Sequence, residues 1–371
     1  MATTSQEFGE WPLKRLMTEV VGSGPKSAAD MDRAQAREAF QRILAGEPDE
    51  LTLGAFWLAN RWKTNTPEEL AGFTDVMHEE SVRQHEPDCD PLDCGANYDG
   101  KHTSALLGVA AGCIAAAAGT PVVVHSGDRV PTQKATAYKH VLDELGVRTD
   151  LDLAESAQMV DDTGFGFYYQ PAFNPGVDAL IDRREKMGVR TFVNTIETVA
   201  NPANASVHLG SFYHLAFAKK MCSLVDESER LDFERVIMFQ GMEGYDDIRP
   251  GYTKVAEWAA PGTSDEASDD QPRATAEGSF EDFEIETATF GMDLETDDLA
   301  VDDVTADSAR ITESVLAGER DDQFADAIAL NGAFRIYARG DVDSLEDGLE
   351  TAREVLADGR AAAVLEELRA F

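Results

Sequence analysis

Hydrophobic positions recur at helical spacing from about residue 10 to residue 85. Ala29 to Leu44 carries this pattern and stops at Gly46, and Leu53 to Trp62 repeats it. Thr66-Pro67-Glu68-Glu69 has the form of a helix start, with proline in the first turn and acids against the positive end of the dipole. After about residue 90 the texture changes to short apolar runs, each followed by a polar loop and a longer helical stretch. Leu92 to Gly95, Val122 to Val124, Gly164 to Tyr168 and Arg235 to Phe239 are the predicted strands. That alternation predicts a parallel sheet covered by helices. Thr103 to Val124 is almost uncharged and about as long as a membrane span. Alanine and glycine dominate it, however, and Gly119-Thr120-Pro121 breaks it, so it reads as a buried helix, a turn and a buried strand. Pro175 to Lys220 reads as helical again. Within an acidic stretch from Ala259 to Asp307, Phe283 to Thr289 reads as a further strand.

Composition narrows what such a chain can do. With 371 residues, 43% of them hydrophobic, it is long enough for two or three domains or one large α/β unit. Its 70 acidic and 32 basic side chains leave a net charge of −38, which opposes unspecific binding to nucleic acid or acidic membrane. Arginines number 22 and lysines 10, with no lysine after Lys254. A carboxylate-dense, lysine-poor surface suits concentrated salt, where screening over roughly 3 Å at 1 M removes self-repulsion, and a halophilic source is expected. Residues 261–371 hold 30 acids and 8 arginines, whereas 101–190 hold 11 acids and 9 bases, so the charge thins out around the loops discussed next. Cys89, Cys94, Cys113 and Cys222 form no Cys-x-x-Cys pair, which predicts reduced thiols and no structural zinc. No signal sequence opens the chain, and a cytoplasmic location is expected.

Four constellations could carry chemistry. Asp93-Cys94-Gly95-Ala96-Asn97-Tyr98-Asp99-Gly100-Lys101-His102-Thr103 follows a predicted strand and opens the alanine-rich helix, a setting in which glycines and free amides can meet a phosphate. An ordinary strand-to-helix turn has the same make-up, and the spacings of a P-loop or dinucleotide fingerprint are absent. His125-Ser126-Gly127-Asp128-Arg129 lies at the carboxyl end of a predicted parallel strand, where α/β sheets bind ligands; a capping loop is the plain alternative. Gly241-Met242-Glu243-Gly244-Tyr245-Asp246-Asp247 sets adjacent carboxylates in a glycine-rich loop, a donor set suited to magnesium, although Asp-Asp pairs recur throughout this acidic chain. Asp182-Arg183-Arg184-Glu185-Lys186 is either a carboxylate-binding arginine pair or a mixed-charge surface helix.

Taken in order, these pieces resemble the anthranilate phosphoribosyltransferases and the wider glycosyltransferase family 3 group, which includes pyrimidine nucleoside phosphorylases. Lys186-Met187-Gly188-Val189-Arg190-Thr191 leading to Asn201-Pro202, and Val236 to Asp247, carry the resemblance best. It implies a small helical N-terminal domain and a larger α/β domain with a mainly parallel central sheet, a site in the cleft between them, and a homodimer through the helical part. The corresponding boundaries are 1–88 for the helical domain, joined in space by 175–225, and 89–174 with 226–371 for the α/β domain. The family's Gly-Thr-Gly-Gly-Asp phosphate loop corresponds to Gly95 to Gly100, with Asn97 and Tyr98 replacing two of its glycines. Polar residues just inside the next helix correspond to Ala105, Leu107 and Gly108, and the Lys-His-Gly-Asn loop survives as Val124-His125 followed by Gly127-Asp128-Arg129.

The resemblance therefore implies Mg²⁺-dependent transfer of a phosphoribosyl group from phosphoribosyl pyrophosphate to anthranilate or a similar nitrogen acceptor. Gly95, Asp99, Gly100, Lys101, Thr103, His125, Gly127 and Arg129 would line the donor site, Arg184 would orient an acceptor carboxylate, and Asp246 and Asp247 would hold Mg²⁺. The altered phosphate loop and the lost lysine resemble a divergent branch of the family. In that branch a non-catalytic paralogue binding nucleic acid or another partner is the alternative. It would need a basic stripe from Arg129, Lys134, Lys139, Arg183, Arg184 and Arg190. Nucleoside phosphorolysis is a third reading.

Overall fold

The computed structural model describes residues 11–371 apart from 23, 25, 97, 129–134 and 262–277. Arg129 and Lys134 therefore lie outside the described residues, as do Asn97 and part of the acidic stretch.

The predicted helices near the N-terminus form with sharper limits than the pattern gave. Helices Arg33–Leu44, Glu50–Lys63 and Pro67–Glu80 start at Asp32, Asp49 and Thr66, each of which accepts backbone amide hydrogen bonds from the first turn. Asp32 with Gln35 and Thr66 with Glu69 form reciprocal capping boxes. Glu69 is fully buried, and it also accepts from the Met31 amide at 2.8 Å and the Lys63 ammonium at 2.6 Å, locking the three helices together. Phe40, Phe73 and Phe192 stack at the centre of this layer, so the 192–196 turn packs here too.

Among the described residues seven strands form one sheet: β1 (Leu92–Cys94), β2 (Val122–Ser126), β3 (Phe165–Tyr169), β4 (Val207–Ser211), β5 (Arg235–Phe239), β6 (Tyr252–Ala259) and β7 (Ser279–Glu286). Their order is β3-β2-β1-β4-β5-β6-β7, parallel from β3 to β5 and antiparallel for the last two pairs. The central strands are buried on both faces, which explains their continuous apolar runs. Two expectations about the strands change. Pro175 to Lys220 is not wholly helical, because Val207 to Ser211 enters the sheet as β4 between β1 and β5. The acidic-region strand begins at Ser279, and residues 287–290 turn as a short 3₁₀ helix.

The alanine-rich helix begins at Gly108 rather than at Thr103, leaving 95–107 as an extended loop. It is buried all round, between the sheet and helix Gln323–Arg339, where Gly332 faces Ile114. This placement accounts for a span-length apolar run in a chain whose described helices include none long and apolar enough to cross a membrane. All four cysteines are free thiols.

Candidate active site

Strand connections leave β1 toward β2 on one side and arrive at β4 on the other, so the sheet has a switch point between β1 and β4. Crevices at the carboxyl ends of strands flanking such a point are where open α/β sheets bind ligands. A cavity of about 280 Å³ opens there. Its walls come from Gly95 after β1, Gly210 to His214 at the end of β4, Arg61 of helix Glu50–Lys63, and Arg190 to Thr198. Phe217 and Met238 give it an apolar side.

Gly95 is required at this point by close approach. A β-carbon there would lie 1.9 Å from the Thr198 carbonyl oxygen and 2.4 Å from Cε1 of His208. On that side Gly95 is closed off by this chain's own groups, while it also lines the cavity. Gly100 has φ +73°, a left-handed turn that lets Lys101 pair with Thr136. Asp99 is buried and ion-paired to Arg190. Gly127 lies beside the side chain of Gln170.

His125 does not face the cavity. It is fully buried, its Nδ1 shares a hydrogen bond with the Tyr98 hydroxyl, and its Nε2 lies 3.3 Å from Asp93. On the other side, His208 Nδ1 sits 2.7 Å from the second Asp93 oxygen. Burial alone would raise the Asp93 carboxyl, but the neighbouring His125 ring and the hydrogen-bonded His208 hold it down at about 2. Sequence reasoning quoted Asp93 without giving it a role and missed His208, because β4 was read as helix. The apolar run Val207-His208-Leu209 ending in Gly210-Ser211 repeats the strand-then-loop pattern of β1 and was the available signal.

Lys101 is likewise buried, donating to the Ala105 carbonyl at 2.7 Å and to Asp247 at 2.5 Å. Asp246 accepts from the Tyr138 hydroxyl and ion-pairs with Arg335 at 3.1 Å. Burial pushes its carboxyl up to about 6, with Arg335 opposing and Asp247 reinforcing the shift. Each aspartate thus already holds a buried cation. The remaining oxygen of each is buried without a protein donor, and no group of three or more metal-ligating side chains occurs among the described residues. A divalent ion added here would leave two unneutralised positive charges in a dry site, so this pair does not fit Mg²⁺ as the resemblance implied.

Arg184 is only 1% exposed and forms a two-pronged ion pair with buried Glu197, at 2.8 and 2.7 Å. It is committed to that partner and is absent from the cavity wall. Lys139 is held by Asp128 and Asp143. Of the six residues of the basic stripe, Lys139, Arg184 and Arg190 are thus neutralised by neighbours.

Thr103 faces a different anion from the one expected. The Glu243 carboxylate accepts from the amides of His102 (2.7 Å), Thr103 (3.3 Å) and Ser104 (2.9 Å), and from the hydroxyls of Thr103 (3.2 Å) and Ser104 (2.6 Å). Burial opposes ionisation of Glu243, yet these donors bring its carboxyl below the usual range. Glu243 has φ +56°, uncommon for a residue with a side chain, and Tyr213 of the cavity wall donates to its carbonyl.

The helical bundle domain of the glycosyl transferase family matches residues 21–81, and the family's a/b domain matches residues 94–362. The chain belongs to this glycosyl transferase family. Among its members, anthranilate phosphoribosyltransferase of Natronomonas pharaonis is 30% identical over 345 residues, covering 92% of this chain and 96% of that one. The enzyme of the same name from Symbiobacterium thermophilum is 29% identical over 97% of both chains. The crystal structure of anthranilate phosphoribosyltransferase from Thermus thermophilus superposes with a TM-score of 0.74 at 25% identity, over 92% of this chain and 95% of that one. A Saccharomyces cerevisiae anthranilate phosphoribosyltransferase in complex with phosphoribosyl pyrophosphate and Mg shares the fold, with a TM-score of 0.77 at 19% identity over 96% of each chain. The helical layer followed by a mainly parallel α/β sheet is therefore the family architecture.

Proposed function

We propose that this chain is a phosphoribosyltransferase that moves phosphoribosyl from phosphoribosyl pyrophosphate to a small nitrogen acceptor of the anthranilate type and releases pyrophosphate. The observation that carries this reading is the array of amides and hydroxyls at 102–104, which already grips the carboxylate of Glu243, the residue before Gly244 of the cavity wall. Donors arranged to hold a carboxylate suit a pyrophosphate oxygen equally well. Arg61 in the cavity wall supplies positive charge against the leaving group, Arg190 adds guanidinium donors beyond its pair with Asp99, and Phe217 and Met238 offer an apolar surface to an aromatic acceptor. The chain's own part is positioning and charge stabilisation. Arg184, Asp246 and Asp247 support the walls through their ion pairs.

A release assay for pyrophosphate in concentrated KCl, with anthranilate and related aromatic amines, tests the reading. Turnover that depends on an amine supports it; none with any amine refutes it. A second reading follows from the closed pairs Arg184–Glu197, Asp246–Arg335 and Asp247–Lys101: a family scaffold that no longer takes the donor and serves a partner instead. The paired basic residues argue against nucleic acid as that partner.

We also propose that the protein is a homodimer through its helical layer. Leu51, Leu58 and Trp62 are 83%, 47% and 77% exposed at helical spacing on Glu50–Lys63, an apolar stripe that a second copy would cover. Light scattering after size exclusion should give twice the chain mass, and Trp62→Glu should reduce it to the monomer.

A further inference from the structure

Asp93 touches two imidazoles, both buried, but only one of them lines the cavity. His125 is sealed by Tyr98 and Asp93, whereas His208 lines the cavity. With Nδ1 of His208 donating to ionised Asp93, the proton on the ring is fixed on that nitrogen. Nε2 then presents a lone pair, and no hydrogen bond to it is found among the described residues. Phe233 packs on the ring at 5.2 Å and Gly95 leaves room for its edge, so its orientation is set from both sides. The charged and titratable groups facing it are Asp93 and, across the cavity, Arg61, Arg190, Tyr213 and His214.

We propose that His208, oriented by Asp93, is the base that takes the proton from the acceptor in this cavity. The proposal rests on the phosphoribosyl-transfer reading for its substrate, though not for the state of the dyad. In that reaction the acceptor nitrogen bonds to C1 of the ribose as the bond from C1 to the pyrophosphate oxygen breaks. Pyrophosphate leaves with the electron pair. The N–H proton passes to Nε2 of His208 and then to solvent. His208 is thus a catalytic residue, and Asp93 is a positioning residue that fixes the tautomer.

Two measurements on the full chain test this. Nitrogen-15 NMR of histidine-labelled protein in concentrated KCl should show His208 with its proton on Nδ1 and a bare Nε2. Asp93→Asn should shift that proton toward Nε2, which a merely structural role for Asp93 would not require. In the pyrophosphate-release assay with anthranilate, His208→Asn keeps an N–H for Asp93 but lacks the base. It should lower kcat by about 10²- to 10⁴-fold with little change in KM. A proton found on Nε2 in the wild type, or His208→Asn turning over at the wild-type rate, overturns the proposal. A wild type silent with every amine but showing the expected tautomer refutes the transfer reading while supporting the base dyad.

Discussion

Replacing Glu197 by glutamine tests most sharply whether Arg184 is a wall of the site or a ligand within it. Both side chains are at most 2% exposed, and each guanidinium nitrogen that meets Glu197 does so within 2.8 Å. Glutamine preserves volume, so no cavity term enters. One carbonyl oxygen still accepts a hydrogen bond, but the other position becomes an NH₂ group facing a guanidinium. A buried arginine is left without a counter-charge, and breaking such a pair typically costs about 3–5 kcal/mol. Urea is the denaturant of choice, because the protein can stay in concentrated KCl. The unfolding midpoint should fall by that loss divided by the m value, while m itself is unchanged. The double variant Arg184→Met with Glu197→Leu should recover most of the loss, since packed apolar residues commonly replace buried pairs at little cost. A loss below about 1 kcal/mol for Glu197→Gln would show that Arg184 has water or another partner within reach, and the closed-pair reasoning would fail.

Gly95→Ala sets a β-carbon 1.9 Å from a backbone carbonyl that cannot swing aside. A loss of about 3 kcal/mol or more is expected, measured by the same urea titration. Glu243→Gln weakens the internal competitor for the 102–104 amides, and inorganic pyrophosphate should bind about tenfold more tightly by calorimetry, the equivalent of roughly 1.4 kcal/mol from one charge-assisted hydrogen bond. pH gives a further test. Burial lowers His78 to about 4, so its contribution to stability is lost as pH falls from about 6.5 to about 4. Burial raises Asp246 to about 6, so its contribution runs the other way, present near pH 4 and lost as pH rises through about 6. The two nearly cancel in the wild type. In His78→Gln, stability measured by urea should therefore fall on going from about pH 4 to pH 6.

Much of the architecture was legible because local and tertiary signals agreed. The Thr66-Pro67 start, the buried runs at Val122 and Arg235, and the stop at Gly46 each combine a backbone requirement with a burial pattern. β4 was missed because a strand of five residues set between helical turns gives too few positions to distinguish a period of two from one of 3.6. β6 was missed and β7 only partly read for a different reason: they pair at the sheet edge, and β7 exposes most of its acidic side chains. The site was harder to read than the fold. Charge type and loop position brought Lys101, Arg184, Asp246 and Asp247 to attention, but whether a charge faces a ligand or a partner depends on distant residues. Arg335 supplies that partner from helix Gln323–Arg339, 89 positions from Asp246. Its signal was a lone arginine between Phe334 and Ile336, buried on every side.

The central claim is that the switch-point cavity takes a phosphoribosyl donor. The most direct measurement is a calorimetric titration of phosphoribosyl pyrophosphate into the full chain in concentrated KCl, with and without Mg²⁺, for the wild type and for Arg190→Met. The account predicts saturable binding of one donor per chain, tightened in Glu243→Gln and lost or severely weakened in Arg190→Met. It also predicts that Asp246→Asn leaves any Mg²⁺ dependence in place, since Arg335 occupies that carboxylate. No binding of the donor under any of these conditions would contradict the account and leave the closed scaffold as the reading that stands.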